Sequence, residues 1–147
     1  MRRSAGPVYG GPVRDHRRLR RLTVDDATTY LWTVRHRHRD GQGCRDVLTL
    51  VRDGVRTRVV FREGEGRYVG GGAYTHSGGV GDRTHHLNLH RPGTVRALLD
   101  EAVRRGLLPQ DEREAELDGW ILFDAVSRAA AATTRACRAD RAAANRR

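Results

Sequence analysis

Hydrophobic positions alternate with period two through the first half of the chain and recur with a helical period in the second. Arg21-Leu22-Thr23-Val24 is a short alternating piece, Asp25-Asp26 is a turn signal, and Thr29 to His38 is a long β-rich run. Successive strand side chains point to opposite faces, so Tyr30, Trp32 and Val34 share one face while Leu31, Thr33, Arg35 and Arg37 share the other. Asp40-Gly41-Gln42-Gly43 then breaks the strand.

The sharpest local signal spans Val47 to Phe61, where Asp53-Gly54 separates two β-branched runs. A two-residue type I′ turn needs positive φ at both central positions, which Asp-Gly tolerates. The resulting register sets Arg52 against Val55, Leu50 against Thr57 and Leu48 against Val59. Leu48, Leu50, Val55, Val59 and Phe61 then form a core face, and Val47, Thr49, Val51, Val60, Arg56 and Arg58 a half-exposed one. Residues 64–81 hold eight of the 17 glycines; Tyr68-Val69 is a weak strand there, and Thr84 to His90 is one more, with Leu87 and Leu89 inward.

After residue 92 the period changes. Val95, Leu98, Leu99, Ala102 and Val103 fit one helix face, with Pro92 or Thr94 as the start and Gly106 and Pro109 as the stop. A second helix starts near Asp118 as N-cap and presents Leu122, Phe123, Val126 and Ala130. Its Ala-rich continuation has high propensity but no large apolar residue, so fraying is expected beyond about residue 130 unless something docks there. The expected fold is α+β: a mainly antiparallel sheet of four to six strands followed by two helices packed on one face. One domain over 22–127 is flanked by a basic tail at 1–21 and an Ala/Arg-rich extension at 128–147, helical or frayed.

The formal charge of +10 suggests a polyanion partner until it is divided along the chain. Residues 1–21 carry +6, residues 128–147 carry +5, and the stretch between them carries −1. Inside that stretch residues 41–62 are net +3 and residues 92–127 net −4, the acids clustering in Asp111 to Asp118, against which the tails could lie. All 28 basic residues are Arg, and Ile occurs once, at 121. Arg, Ala and Gly have GC-rich codons, so part of this excess is mutational bias. The missing lysine excludes a G-x-x-x-x-G-K-[ST] phosphate loop, a Lys Schiff base and a Ser-Lys dyad. No apolar run reaches a bilayer span, and Met1 to Pro7 lacks the apolar stretch of a secretory signal, so a cytoplasmic protein without a membrane partner is expected.

Several constellations carry possible chemistry. His16, His36, His38, His76, His85, His86 and His90 invite a test for metal; His36 and His38 point the same way on a strand, as His86 and His90 do if Thr84 to His90 is extended. His36, His38, His86 and His90 are thus the candidate zinc ligands, although Arg35, Arg37 and Arg39 oppose a cation and polar strand positions explain the same pattern. No other cofactor is expected. Gly64-x-Gly66 followed by Gly70 misses the dinucleotide fingerprint, and no helix opens there. Ser77 lacks a G-x-S-x-G context. Cys44 and Cys137 form no C-x-x-C; Cys44, near the strand histidines, is a candidate reactive thiol.

For nucleic acid the candidates are the tails and the hairpin arginines Arg45, Arg52, Arg56 and Arg58, with few aromatics and no RNP-like run to assist. Trp120-Ile121-Leu122-Phe123 sets four large apolar residues in succession, more than one core face holds, so Trp120, Ile121 and Phe123 are candidates for a protein partner or a homodimer surface. The segment Leu87-Asn88-Leu89-His90-Arg91-Pro92-Gly93-Thr94-Val95-Arg96-Ala97-Leu98-Leu99-Asp100-Glu101-Ala102, with Asp118-Gly119-Trp120, resembles small proteins of unassigned function encoded in GC-rich bacterial genomes. That resemblance covers about residues 20–127 and implies no activity. The leading expectation is a non-enzymatic interaction or regulatory module for a protein or small ligand. The alternative is an accessory nucleic-acid-binding protein, and a His-based enzyme has no motif behind it.

Overall fold

The computed structural model describes residues 18–70, 78–111 and 114–145. Four strands run in succession, β1 (Arg20–Thr23), β2 (Thr29–Arg39), β3 (Gly43–Arg52) and β4 (Val55–Arg62), each antiparallel to its predecessor. Three short strands, β5 (Tyr68–Val69), β6 (Gly79–Gly81) and β7 (His86–Asn88), make a second antiparallel sheet. Helix α1 (Pro92–Arg104), strand β8 (Ala115–Asp118) and helix α2 (Gly119–Ala144) follow. β8 returns beside β4 in parallel, giving a five-stranded sheet of order β1-β2-β3-β4-β8. The architecture is α+β, as the periodicities indicate.

The β3–β4 hairpin forms as its turn chemistry requires. Asp53 and Gly54 have φ of 51° and 79°, and Arg52 faces Val55, Leu50 faces Thr57 and Leu48 faces Val59. Leu48, Leu50, Val59 and Phe61 are buried together with Tyr30 and Trp32 of β2. Val55, at the tip, is only half buried, and Val60 of the opposite face is buried. The helices close this core with Val95, Leu98, Leu99 and Ala102 from α1 and Trp120, Leu122, Phe123 and Val126 from α2.

Helix α1 begins with Pro92 and ends in a Schellman motif, in which Gly106, at φ 64°, donates to Val103 O and Leu107 donates to Ala102 O. Val103, read as a core position, is 56% exposed. At 100° per residue it stands about 90° from the centre of the stripe set by the four buried residues. In α2, Asp118 Oδ1 accepts from Trp120 N at 3.0 Å, the expected N-cap. The helix continues unbroken to Ala144; from Arg128 to Asn145 every residue except Ala131 is exposed, Ala130 among them.

β8 departs from the expectation. No strand was expected within the acidic run, yet Ala115-Glu116-Leu117-Asp118 pairs with Thr57 to Val60, half burying Ala115 and Leu117 and leaving Glu116 and Asp118 exposed. The start of β3 also differs. Gly43 belongs to the ladder rather than to a break, so Cys44 sits opposite His38 and Asp46 opposite His36.

Candidate functional site

The helices and the second sheet cover one face of the five-stranded sheet, and no helix or strand among the described residues covers the opposite face. Thr33, Arg35 and Arg37 of β2, Arg45, Val47, Thr49 and Val51 of β3, and Arg56, Arg58 and Val60 of β4 line a shallow trough there, with Leu19 and Glu116 at its margins. Strand alternation places all of these on one side, and no aromatic ring is among them. Register then does something unusual with charge: Arg37 is directly opposite Arg45, and Arg45 is directly opposite Arg62. Like charges in cross-strand register repel and cost stability.

Only part of this charge is compensated. Arg56 Nη1 and Arg58 Nη1 reach Glu114 at 3.1 and 2.8 Å, and Arg62 Nη2 reaches Glu116 Oε1 at 2.8 Å. Among the described residues Glu114 and Glu116 of the acidic run pair with the hairpin arginines, and the N-terminal tail up to residue 17 lies outside the described residues. Arg35, Arg37 and Arg45 form no ion pair among the described residues. Exposed pairs of this kind are worth little each, so they exchange readily for another anion.

Of the four arginines singled out from sequence, Arg45, Arg56 and Arg58 lie in the trough. Arg52 does not: odd and even positions of β3 face opposite ways, and Arg52 turns to the core side of the hairpin tip. Its guanidinium stands 5.8 Å from the centre of the Tyr30 ring, and Nε lies 3.3 Å from Asp53 Oδ2. A hydrogen bond with Tyr30, more than the charge of Asp53, holds Arg52 above the usual guanidinium range. This second concavity, about 530 Å³, is lined by Val55, Val103, Leu108 and Pro109 beside Tyr30 and Arg52. Arg35, Arg37 and Arg62 were missed as members of the open face, although their parity with Thr33, Arg45 and Arg58 was legible in the strand pattern.

The histidines do not gather. His36 Nδ1 lies 2.7 Å from Oδ1 of Asp46, a fully buried carboxylate whose Oδ2 accepts from Gly78 N at 2.9 Å. His38 Nδ1 lies 3.1 Å from Cys44 Sγ. His86 stacks on Tyr68 at 6.1 Å, and the His90 carbonyl accepts from Arg20 Nη1 at 2.6 Å. β7 ends at Asn88, so His86 and His90 are not held on one extended strand as the pattern suggested. Among the described residues no group of three or more His, Cys, Asp or Glu is arranged to hold a metal ion. His16 and His76 lie outside the described residues.

Two glycines flanking the strands of the second sheet lie against imidazoles. A Cβ on Gly70 would stand 2.6 Å from His36 Nδ1, and one on Gly78 would stand 2.7 Å from His90 Cδ2. Here glycine lets backbone approach imidazole closely. Trp120 and Phe123, read as a partner surface, are core residues instead. Trp120 meets Phe61 and Phe123 edge to face at 5.5 and 5.1 Å, and its Nε1 donates to Arg62 O at 2.8 Å. Only Ile121 of that run remains outside, 48% exposed. No helix among the described residues is long and apolar enough to cross a membrane. No family model, curated protein or solved structure matches the chain.

Proposed function

We propose that this protein is a non-enzymatic binding module, and that the open face of its sheet holds the phosphate backbone of a nucleic acid. The carrying observation is the rung Arg37–Arg45–Arg62, three guanidinium groups in cross-strand register on a face that no described helix or strand covers, with Glu116 pairing Arg62. A partner that supplies closely spaced negative charge relieves that repulsion, and guanidinium is suited to phosphate through bidentate hydrogen bonds. This takes up the alternative of a nucleic-acid-binding protein, moved from the tails and the Arg56/Arg58 face to the wider arginine face, in place of the leading expectation of a module for a protein or small ligand. A protein partner is less well served, because the trough offers valines and threonines and none of the aromatic anchors that dominate protein interfaces.

The same lack of aromatics limits what is read. Without rings to stack on bases, the face contacts sugar and phosphate, so binding is independent of sequence and sensitive to salt. The test is fluorescence anisotropy of the full chain with a mixed-sequence duplex, compared with the variant carrying Arg35→Ala, Arg37→Ala and Arg45→Ala. The variant is expected to bind at least about tenfold more weakly at low salt. Equal affinity would remove the sheet face from the account and leave the tails as the basic element, while tighter binding to a polyglutamate chain than to the duplex would favour an acidic protein.

A further inference from the structure

The opposite face of the same β2–β3 ladder carries a second chemistry. Cys44 stands opposite His38 in register, with Sγ 3.1 Å from Nδ1, and the other ring nitrogen of His38 lies 3.8 Å from Asp40 Oδ1. We propose that Cys44 and His38 form a reactive thiol site, oxidised by a hydroperoxide to a sulfenic acid. The site is separate from the arginine trough and stands or falls without it.

Three features carry the inference. First, the imidazole is within hydrogen-bond distance of the sulfur, so it can take the thiol proton and leave the nucleophilic thiolate. Second, the backbone fixes both partners: Cys44 N donates to Glu63 Oε2 at 3.2 Å and Cys44 O accepts from Glu63 N at 3.0 Å, so the sulfur is held on the rung of His38. Third, Cys44 is only half buried and His38 is exposed, which leaves a small oxidant free access. The charges around the pair are mixed. Arg37, Arg39 and Arg45 are its chain and rung neighbours but alternate to the opposite face, whereas Glu63, Asp40 and the Asp46–His36 pair two rungs along place carboxylates nearby. Proximity of the base, more than the general field, is therefore the feature under test.

The chemistry balances. The Cys44 thiolate attacks one oxygen of the hydroperoxide, an S–O bond forms and the O–O bond breaks. Sulfur loses two electrons and the peroxide gains them, and the departing alkoxide or hydroxide takes the proton held on His38, leaving an alcohol or water. Cys137, exposed on α2, lies outside this arrangement and is a reference thiol in the same molecule.

The experiment alkylates the full chain with iodoacetamide at neutral pH and follows Cys44 and Cys137 peptides separately by mass spectrometry. Parallel samples take hydrogen peroxide with a 1,3-dione that captures sulfenic acid. Cys44, though less exposed, is expected to react at least about fivefold faster than Cys137 and to yield the dione adduct, consistent with an activated thiolate. His38→Asn, whose amide can keep a hydrogen bond but cannot accept the proton, is expected to bring Cys44 down to the Cys137 rate and abolish the adduct, with Cys137 unchanged. A Cys44 rate at or below that of Cys137 in the parent, an unaltered Cys44 rate in His38→Asn and His38→Ala alike, or rapid alkylation without dione capture would each overturn the proposal.

Discussion

Two glycines at the starts of the two helices respond oppositely to the same substitution. A Cβ on Gly93 in α1 meets nothing within 4 Å, whereas a Cβ on Gly119 in α2 would lie 2.6 Å from both Cε1 and Cζ of Phe61. Glycine in a helix costs about 0.5–1 kcal/mol relative to alanine, so Gly93→Ala stabilises by up to that amount. Gly119→Ala gains the same propensity term but drives a methyl into a ring that cannot retreat: Phe61 is fully buried and packed edge to face against Trp120. Overpacking of this kind costs about 1–3 kcal/mol, which outweighs the gain. At about 3–5 °C per kcal/mol for a domain of this size, thermal unfolding should move up by a few degrees in Gly93→Ala and down by up to about 10 °C in Gly119→Ala. Matched melts by circular dichroism make the comparison. If Gly119→Ala melts at or above the parent temperature, the Phe61–Trp120 contact does not fix the start of α2, and the account of how α2 docks on β4 is wrong.

Other consequences follow from charge and burial. Asp46→Ala leaves the buried Gly78 N–H without its acceptor and frees the partly exposed His36 ring, an expected loss of about 1–3 kcal/mol in urea unfolding, with Asp46→Asn intermediate; parent-like stability in both would contradict it. Hydrogen bonds from Arg104, then Arg105, hold the Glu101 carboxyl down to about 2 from an ordinary 4.5. Its stabilising contribution is therefore complete above about pH 4.5 and is lost as pH falls through about 2, and a carboxyl titration by NMR should show the low midpoint rather than one near 4.5. Glu114→Gln with Glu116→Gln frees Arg56, Arg58 and Arg62 and should tighten duplex binding, the reverse of removing arginines; unchanged affinity would place the β4 arginines outside the contact.

Much of the fold was legible because local chemistry and global packing agree. Asp53-Gly54 set the hairpin register residue for residue, and the spacing of Val95, Leu98, Leu99 and Ala102 marked the face of α1. Where the reading failed, tertiary pairing had overridden a local cue. The charge of Asp111 to Asp118 masked the short alternation Ala115-Glu116-Leu117-Asp118, which earns its place as a strand only through β4 and its arginines. Gly41 and Gly43, at φ of 77° and 72°, looked like the end of pairing, yet the ladder runs to Gly43 and brings Cys44 to His38. The open face was half visible. Arg56 and Arg58 stood out beside the turn, but the rung joining Arg37, Arg45 and Arg62 needs the β2–β3 register, which no turn signal specified. Exposure of the Trp120 run was likewise undecidable from succession alone, since three of its four residues find core contacts at the start of α2 and only Ile121 does not.

On the proposed reading the sheet face, beyond the basic tails, engages phosphate. The slope of log K for a mixed-sequence duplex against log[NaCl] tests it directly, because each phosphate neutralised contributes about −0.9. Removing Arg35, Arg37 and Arg45 should make the slope shallower by about 2.7. The parent's affinity should then fall by about 40-fold more than the variant's between 50 and 200 mM salt. Parallel lines for the parent and the triple variant would show that these arginines touch no phosphate, and the proposed function would fail.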